Sequence, residues 1–169
     1  NEAAIRLLTR HGYEVVLAEG EGCCSSAPHH MGHEKEALAC ARTNIDAYMA
    51  EIDGEGLDAI IATASGCGTT MKDYGFMLRA DKAYAEKAAL VSGKVRDISE
   101  FVHGIANLKA TPRAALRVAY HAPCSLQHGQ KITRQPKELL SKLGFVVKDV
   151  PEAHVCCGSA GVYNLLQPE

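Results

Sequence analysis

Two pairs of directly adjacent cysteines constrain this chain of 169 residues more than any other feature. They are Cys23–Cys24 and Cys156–Cys157, and the total of seven cysteines is odd. A disulfide between neighbouring residues is strained, so two such pairs argue against a secreted disulfide framework. Clustered cysteines of this kind indicate metal or redox chemistry in a reducing compartment, and we expect a cytoplasmic protein.

The composition is that of an ordinary globular protein, with 47% hydrophobic and 22% charged residues. A formal net charge of −2 gives no reason to expect nucleic acid or an anionic membrane surface as a direct partner. The longest apolar runs, such as Leu57–Ala64, fall well short of the roughly 18 residues that a membrane-spanning helix needs.

Helical and strand-like patterns alternate along the chain. Helical spacing predicts helices at residues 1–11, 34–52, 70–79, 82–92, 97–104 and 135–143. Short apolar runs predict strands at residues 13–18, 57–64, 116–120 and 145–150. This alternation is typical of an α/β fold with parallel sheets flanked by helices.

An internal repeat divides the chain. LLTRHGY (7–13) and LLSKLGF (139–145) each combine a helix end, a glycine and an aromatic residue that opens a strand, and each precedes a cysteine pair. We therefore predict two related halves, 1–108 and 109–169, joined near the weakly periodic stretch 105–114. Each half shows three cysteines of a four-cysteine template, which predicts a first half truncated at its N-terminus and a second truncated at its C-terminus.

All six repeated cysteines are predicted to lie in loops after strands, at the carboxyl edge of a parallel sheet where ligands bind. Free backbone N–H groups in such loops and at helix N-termini stabilise thiolates and cluster sulfur. Four thiolates drawn from distant loops suit an iron–sulfur cluster. Cys40 has no counterpart in the repeat, and we expect it to fill space in the middle of a helix.

Several motifs resemble a known family, the duplicated cysteine-rich CCG domain of heterodisulfide reductase, lactate-utilisation and anaerobic glycerol-3-phosphate dehydrogenase subunits. They are GCC (22–24), ASGCGTT (64–70), YHAPCSLQHGQ (120–130) and HVCCGSAG (154–161). The runs 64–79 and 134–169 are similar to the iron–sulfur subunits of glycolate oxidases, also called glycolate dehydrogenases.

The resemblance implies that one cluster is held by Cys23, Cys24 and Cys67 and another by Cys124, Cys156 and Cys157. Both would be 4Fe-4S clusters, cubane or non-cubane. It also implies an iron–sulfur subunit of an oxidoreductase, which passes electrons from FAD-containing glycolate oxidase subunits towards quinone. A hetro-oligomer peripheral at the cytoplasmic face of the inner membrane is then expected, and this chain shows no substrate chemistry of its own.

Two departures from the family pattern stand in the first half. Ser25 follows the first cysteine pair, whereas Gly158 follows the second. Thr70 occupies the position of a further cysteine in heterodisulfide-reductase-type members, which disfavours a five-cysteine non-cubane cluster there.

Two other interpretations stay open. One is a thiol–disulfide enzyme similar to heterodisulfide reductase, and the other is a non-catalytic docking module with zinc as a structural metal. The histidines that follow the first pair are not included among the expected ligands: His29, His30 and His33.

Overall fold

A computed structural model describes residues 1–108, 116–155, 158 and 162–167, of which 164 and 165 are described by their backbone alone. Its helices are α1 (Glu2–Arg10), α2 (Ser26–His30), α3 (Glu34–Asp53), α4 (Ser65–Lys72), α5 (Tyr74–Met77), α6 (Ala85–Lys94), α7 (Ile98–His103), α8 (Gln135–Lys142) and α9 (Tyr163–Leu166). The strands are β1 (Ile60–Ala62), β2 (Val95–Asp97), β3 (Arg117–Tyr120) and β4 (Val146–Asp149), and a π-helical turn spans Ser125–Gly129.

Two parallel pairs of strands organise the molecule. β1 pairs with β2, with Ile60 opposite Val95, and β3 pairs with β4, with Arg117 opposite Val146. Parallel neighbours need a crossover, and helices supply it in both pairs. The predicted α/β class with helix-flanked parallel sheets is confirmed. The division at residue 108 stays a prediction, because the join falls at 109–115, outside the described residues.

The main core lies in the first half. Apolar residues of α3, α5 and α6 meet there, and Ile45, Tyr74 and Val91 are each fully buried. The apolar positions of α3 recur at helical spacing, so one face of this 20-residue helix is buried while the other is exposed. Among the described helices, none is long and apolar enough to cross a lipid bilayer.

Several sequence-based expectations differ from the structure. No strand forms at Tyr13–Ala18, since this segment finds no backbone partner within the described residues. β1 keeps only three residues of the predicted 57–64. α4 begins at Ser65 rather than near residue 70, so Cys67 lies in the first turn of a helix and not in a loop. The short elements α2, β2 and the π-helical turn were not predicted, because none is long enough to show periodicity.

Candidate metal centre

The structure places four of the six expected ligands. Cys23 and Cys24 lie in the loop before α2, Cys67 lies in the first turn of α4, and Cys124 follows β3 by a short loop. Cys156 and Cys157 lie outside the described residues. Cys40 is in the middle of α3, as expected for a residue outside the repeat.

The thiols of Cys24 and Cys67 meet across the fold and form a hydrogen bond. Both residues are partly buried and pack against the main core. Burial, followed by the Cys67 hydrogen bond, raises the pKa of the Cys24 thiol to about 12. A low-dielectric position beside a second sulfur disfavours a lone thiolate, and a bound cation would reverse that preference. The pair is therefore arranged to release protons to a metal rather than to solvent.

Backbone donors surround the first cysteine pair. The N–H of Ser25 donates to Cys23 Sγ at 3.4 Å, and the N–H of Ser26 hydrogen-bonds Cys24 and acts to lower the pKa of its thiol. Ser25 has a φ of +71°, in the left-handed region that favours glycine. Gly158 has a φ of +79° after the second pair, so the two halves share this turn despite the different residue.

Two buried side chains fix the backbone of the cysteine pair. Asn44 Nδ2 donates to the Cys23 carbonyl at 2.9 Å, and its Oδ1 accepts from Gly22 N at 2.7 Å. The Tyr74 hydroxyl donates to the Cys24 carbonyl at 3.0 Å and accepts from Asn44 Nδ2 at 3.1 Å. Sequence reasoning missed both residues, and only their polarity within otherwise apolar helical faces marked them.

The residues around the first pair fit a group that brings its own hydrogen-bonding atoms. Ser25 is completely buried, and its Oγ has no hydrogen-bond partner within the described residues. Buried hydroxyls are nearly always satisfied, so an orphan beside two cysteines calls for an acceptor. The sulfides and thiolates of an iron–sulfur cluster are such acceptors.

The two halves meet at their cysteine-bearing motifs. Thr69 Oγ1 donates to the Ser125 carbonyl at 2.9 Å, and Ser125 Oγ donates to Ser65 Oγ at 2.7 Å. Gln130 Nε2 donates to the Ser65 carbonyl at 3.0 Å. The helix that carries Cys67 thus packs against the π-helical turn that directly follows Cys124.

Two glycines make this close approach feasible. A Cβ on Gly68 would lie 2.9 Å from Gln130 Nε2 and 3.2 Å from Ala62 Cβ. A Cβ on Gly129 would lie 2.9 Å from Thr69 Cγ2. Several residues of the ASGCGTT and YHAPCSLQHGQ motifs therefore have a structural role, because they hold the two cysteine-bearing segments together.

Within the described part of the chain, no three His, Cys, Asp or Glu side chains are already arranged around a metal position. The histidines after the first pair engage carboxylates instead: His29 Nδ1 lies 2.9 Å from Glu34 Oε2, and His33 Nδ1 lies 3.5 Å from Glu36 Oε2. The structure thus brings Cys24 and Cys67 into contact, with Cys23 directly beside them, and lets Cys124 approach from the second half.

Known proteins similar to this chain carry the same chemistry in their names. The chain is 43% identical over its whole length to the glycolate oxidase iron–sulfur subunit of Escherichia coli K12, and it covers 41% of that protein. It is 31% identical to the probable glycolate oxidase iron–sulfur subunit of Bacillus subtilis 168, of which it covers 38%. Lactate utilization protein A of Bacillus licheniformis is 25% identical, with 97% of this chain and 67% of that protein aligned.

The chain spans about two fifths of the length of the two glycolate oxidase subunits. No solved structure gives a significant match to it. The family model described as the cysteine-rich domain, CCG, matches residues 1–72 and 118–169, which include both cysteine pairs, Cys67 and Cys124. On this match, and on the paired motifs that meet in the fold, the chain belongs to the CCG cysteine-rich domain family.

Proposed function

We propose that this chain is an iron–sulfur electron-transfer region of a flavin-linked 2-hydroxy-acid dehydrogenase, acting on glycolate. The observation that carries the proposal is the contact between Cys24 and Cys67, at a site where backbone N–H groups and a buried orphan hydroxyl surround sulfur. The names of the glycolate oxidase relatives support the choice of system.

Each residue at the site has a defined part. Cys23, Cys24 and Cys67 hold one cluster of the 4Fe-4S type, and Cys124, Cys156 and Cys157 hold the other. Such a cluster, when bound, supplies one-electron transfer. Asn44 and Tyr74 orient the first pair by binding its carbonyls.

The contact between the halves bears on the function. The hydrogen bonds of Ser65 and Thr69 with the Ser125 segment bring together the motifs assigned to two different clusters. A short path between clusters favours electron relay through the molecule. We infer that electrons enter from a flavin-containing partner subunit and leave towards quinone or another acceptor. The assembly is then a hetero-oligomer in the cytoplasm, at the inner face of the membrane.

Iron and acid-labile sulfide, measured after anaerobic reconstitution, test the proposal. We expect Cys24→Ser and Cys67→Ser to lose most of the iron bound by the parent chain. Cys40→Ser is the matched control, because Cys40 lies in the middle of α3, outside the repeat, and its replacement should leave the iron content unchanged.

Equal iron loss in all three variants would show that iron binds the cysteines without selection. A folded, colourless parent chain that takes up zinc but no iron would favour a docking module with a structural metal instead. Either result would overturn the proposed function.

A further inference from the structure

The segment between α1 and the first cysteine pair has the sequence of a strand but no strand beside it. No backbone hydrogen bond reaches Glu14–Leu17 from any described residue. Its apolar side chains are also uncovered, since Val16 is 44% exposed and Leu17 is 74% exposed. An unpaired, apolar segment of this kind is a template for another strand.

A groove of about 520 Å³ runs along this segment. Val15–Leu17 form one wall and Leu57–Ile61 form the other. The second wall leads into β1, whose only partner among the described strands is β2. Both walls are therefore backbone segments with free edges, which is the setting in which a peptide adds to a sheet.

Helices cover the groove from both sides of the strand layer. Leu8 of α1 and Tyr48 of α3 line it, as does Phe101 of α7, which stacks edge-on against Tyr13 with ring centroids 5.1 Å apart. A strand placed here would bury its side chains against helices on both faces, as parallel strands in α/β sheets do.

The internal repeat identifies the kind of strand that is expected. Glu14–Leu17 correspond to Val146–Asp149, which form β4, at the offset that relates LLTRHGY to LLSKLGF. β4 pairs in parallel with β3 along its whole length, from Arg117 opposite Val146 to Tyr120 opposite Asp149. The first half thus contains the counterpart of β4 without the counterpart of β3.

We propose that this groove receives a parallel strand, the first-half counterpart of β3, from polypeptide that precedes Asn1 in the full-length protein. The resulting sheet would have the order Glu14–Leu17, inserted strand, β1, β2. The length of the relatives leaves room for such a segment, since this chain covers 41% of the Escherichia coli protein.

The inserted strand also has a chemical consequence, which rests on the proposed function. In the second half, Cys124 follows β3 by four residues. A cysteine at the equivalent place after the inserted strand would reach the loop edge that carries Cys23, Cys24 and Cys67. Strand insertion would then complete the set of thiolates in the first half.

Amide hydrogen exchange, read by mass spectrometry, tests the inserted strand without any metal. The 169-residue chain and the full-length protein are compared, both free of iron. We expect exchange at residues 14–17 and 60–62 to slow by roughly 100-fold in the full-length protein, because new ladder hydrogen bonds protect them. Exchange at β4, residues 146–149, is the internal control and should be similar in both proteins.

Equal exchange at residues 14–17 in the two proteins would overturn the proposal. Protection already present in the 169-residue chain, and lost on dilution, would also overturn it, because a second copy would then occupy the groove. Since iron is absent from the comparison, a failure of the proposed function would leave these outcomes unaffected.

Discussion

At the scale of single residues, Ser25 is the most unusual side chain near the site. It combines a left-handed backbone, complete burial and an Oγ without a hydrogen-bond partner in the described structure. A left-handed conformation costs a non-glycine residue roughly 1–2 kcal/mol. The serine is therefore unfavourable in the iron-free chain, and its retention is explained if the hydroxyl donates to cluster sulfur.

We predict that Ser25→Gly makes the iron-free chain more stable than Ser25→Ala by about 1 kcal/mol, as measured by urea unfolding. Both substitutions remove the orphan hydroxyl, but only glycine relieves the left-handed strain. Equal stability of the two variants would contradict the assignment of strain to this residue.

Tyr74 supplies a second prediction at this scale. Tyr74→Phe leaves the buried Cys24 carbonyl without its hydroxyl donor, and we expect the free energy of unfolding to fall by about 1–3 kcal/mol. Tyr84→Phe is the matched control, because the Tyr84 hydroxyl bonds an exposed carboxylate, Asp46, and its loss should change stability by less than about 0.5 kcal/mol. Equal effects of the two variants would show that Tyr74 does not support the cysteine loop.

At the scale of elements, the contact between α4 and the π-helical turn depends on glycine. In Gly129→Ala the new methyl group meets Thr69 Cγ2, and rotating that side chain would break its bond to Ser125. We expect a loss of about 1–3 kcal/mol in thermal or urea unfolding, typical of overpacking. Gly93→Ala is the control: its Cβ enters open space in α6, so it should stabilise the chain by about 0.5–1 kcal/mol.

A salt bridge between α3 and the turn before α6 makes stability depend on pH. Arg42 Nη2 lies 2.8 Å from Asp81 Oδ2, and hydrogen bonding to this guanidinium lowers the pKa of Asp81 from 3.8. Because the pKa is lower in the folded state, this stabilisation is present above pH 3.8 and is lost as the pH falls through the lowered value.

We therefore expect Asp81→Asn to unfold at lower urea than the parent chain at pH 7 and at the same urea concentration near pH 2. A difference between the two proteins that persists unchanged at the acid end would show that the carboxylate charge is not responsible.

At the scale of the whole molecule, the sequence predicts the α/β class and most helices, because apolar spacing in α3 and α8 is a local signal. It also predicts the cysteine groups, since adjacent pairs and a repeat need no tertiary information. Asn44 and Tyr74 could not be found in this way, because their partners lie 21 and 50 residues away along the chain.

Two errors share a physical cause. Tyr13–Ala18 reads as a strand but does not form one, because a strand needs a neighbour that sequence propensity cannot supply. α4 begins at Ser65, earlier than predicted, because Ser65 and Thr69 are held by the second half. Both errors concern places where the two halves, or a further strand, complete the structure.

The electron paramagnetic resonance spectrum of the dithionite-reduced, anaerobically reconstituted chain tests the central claim most directly. The account predicts a signal from a reduced iron–sulfur cluster that is lost in Cys24→Ser and kept in Cys40→Ser. A folded parent chain that binds no iron and gives no such signal would contradict it.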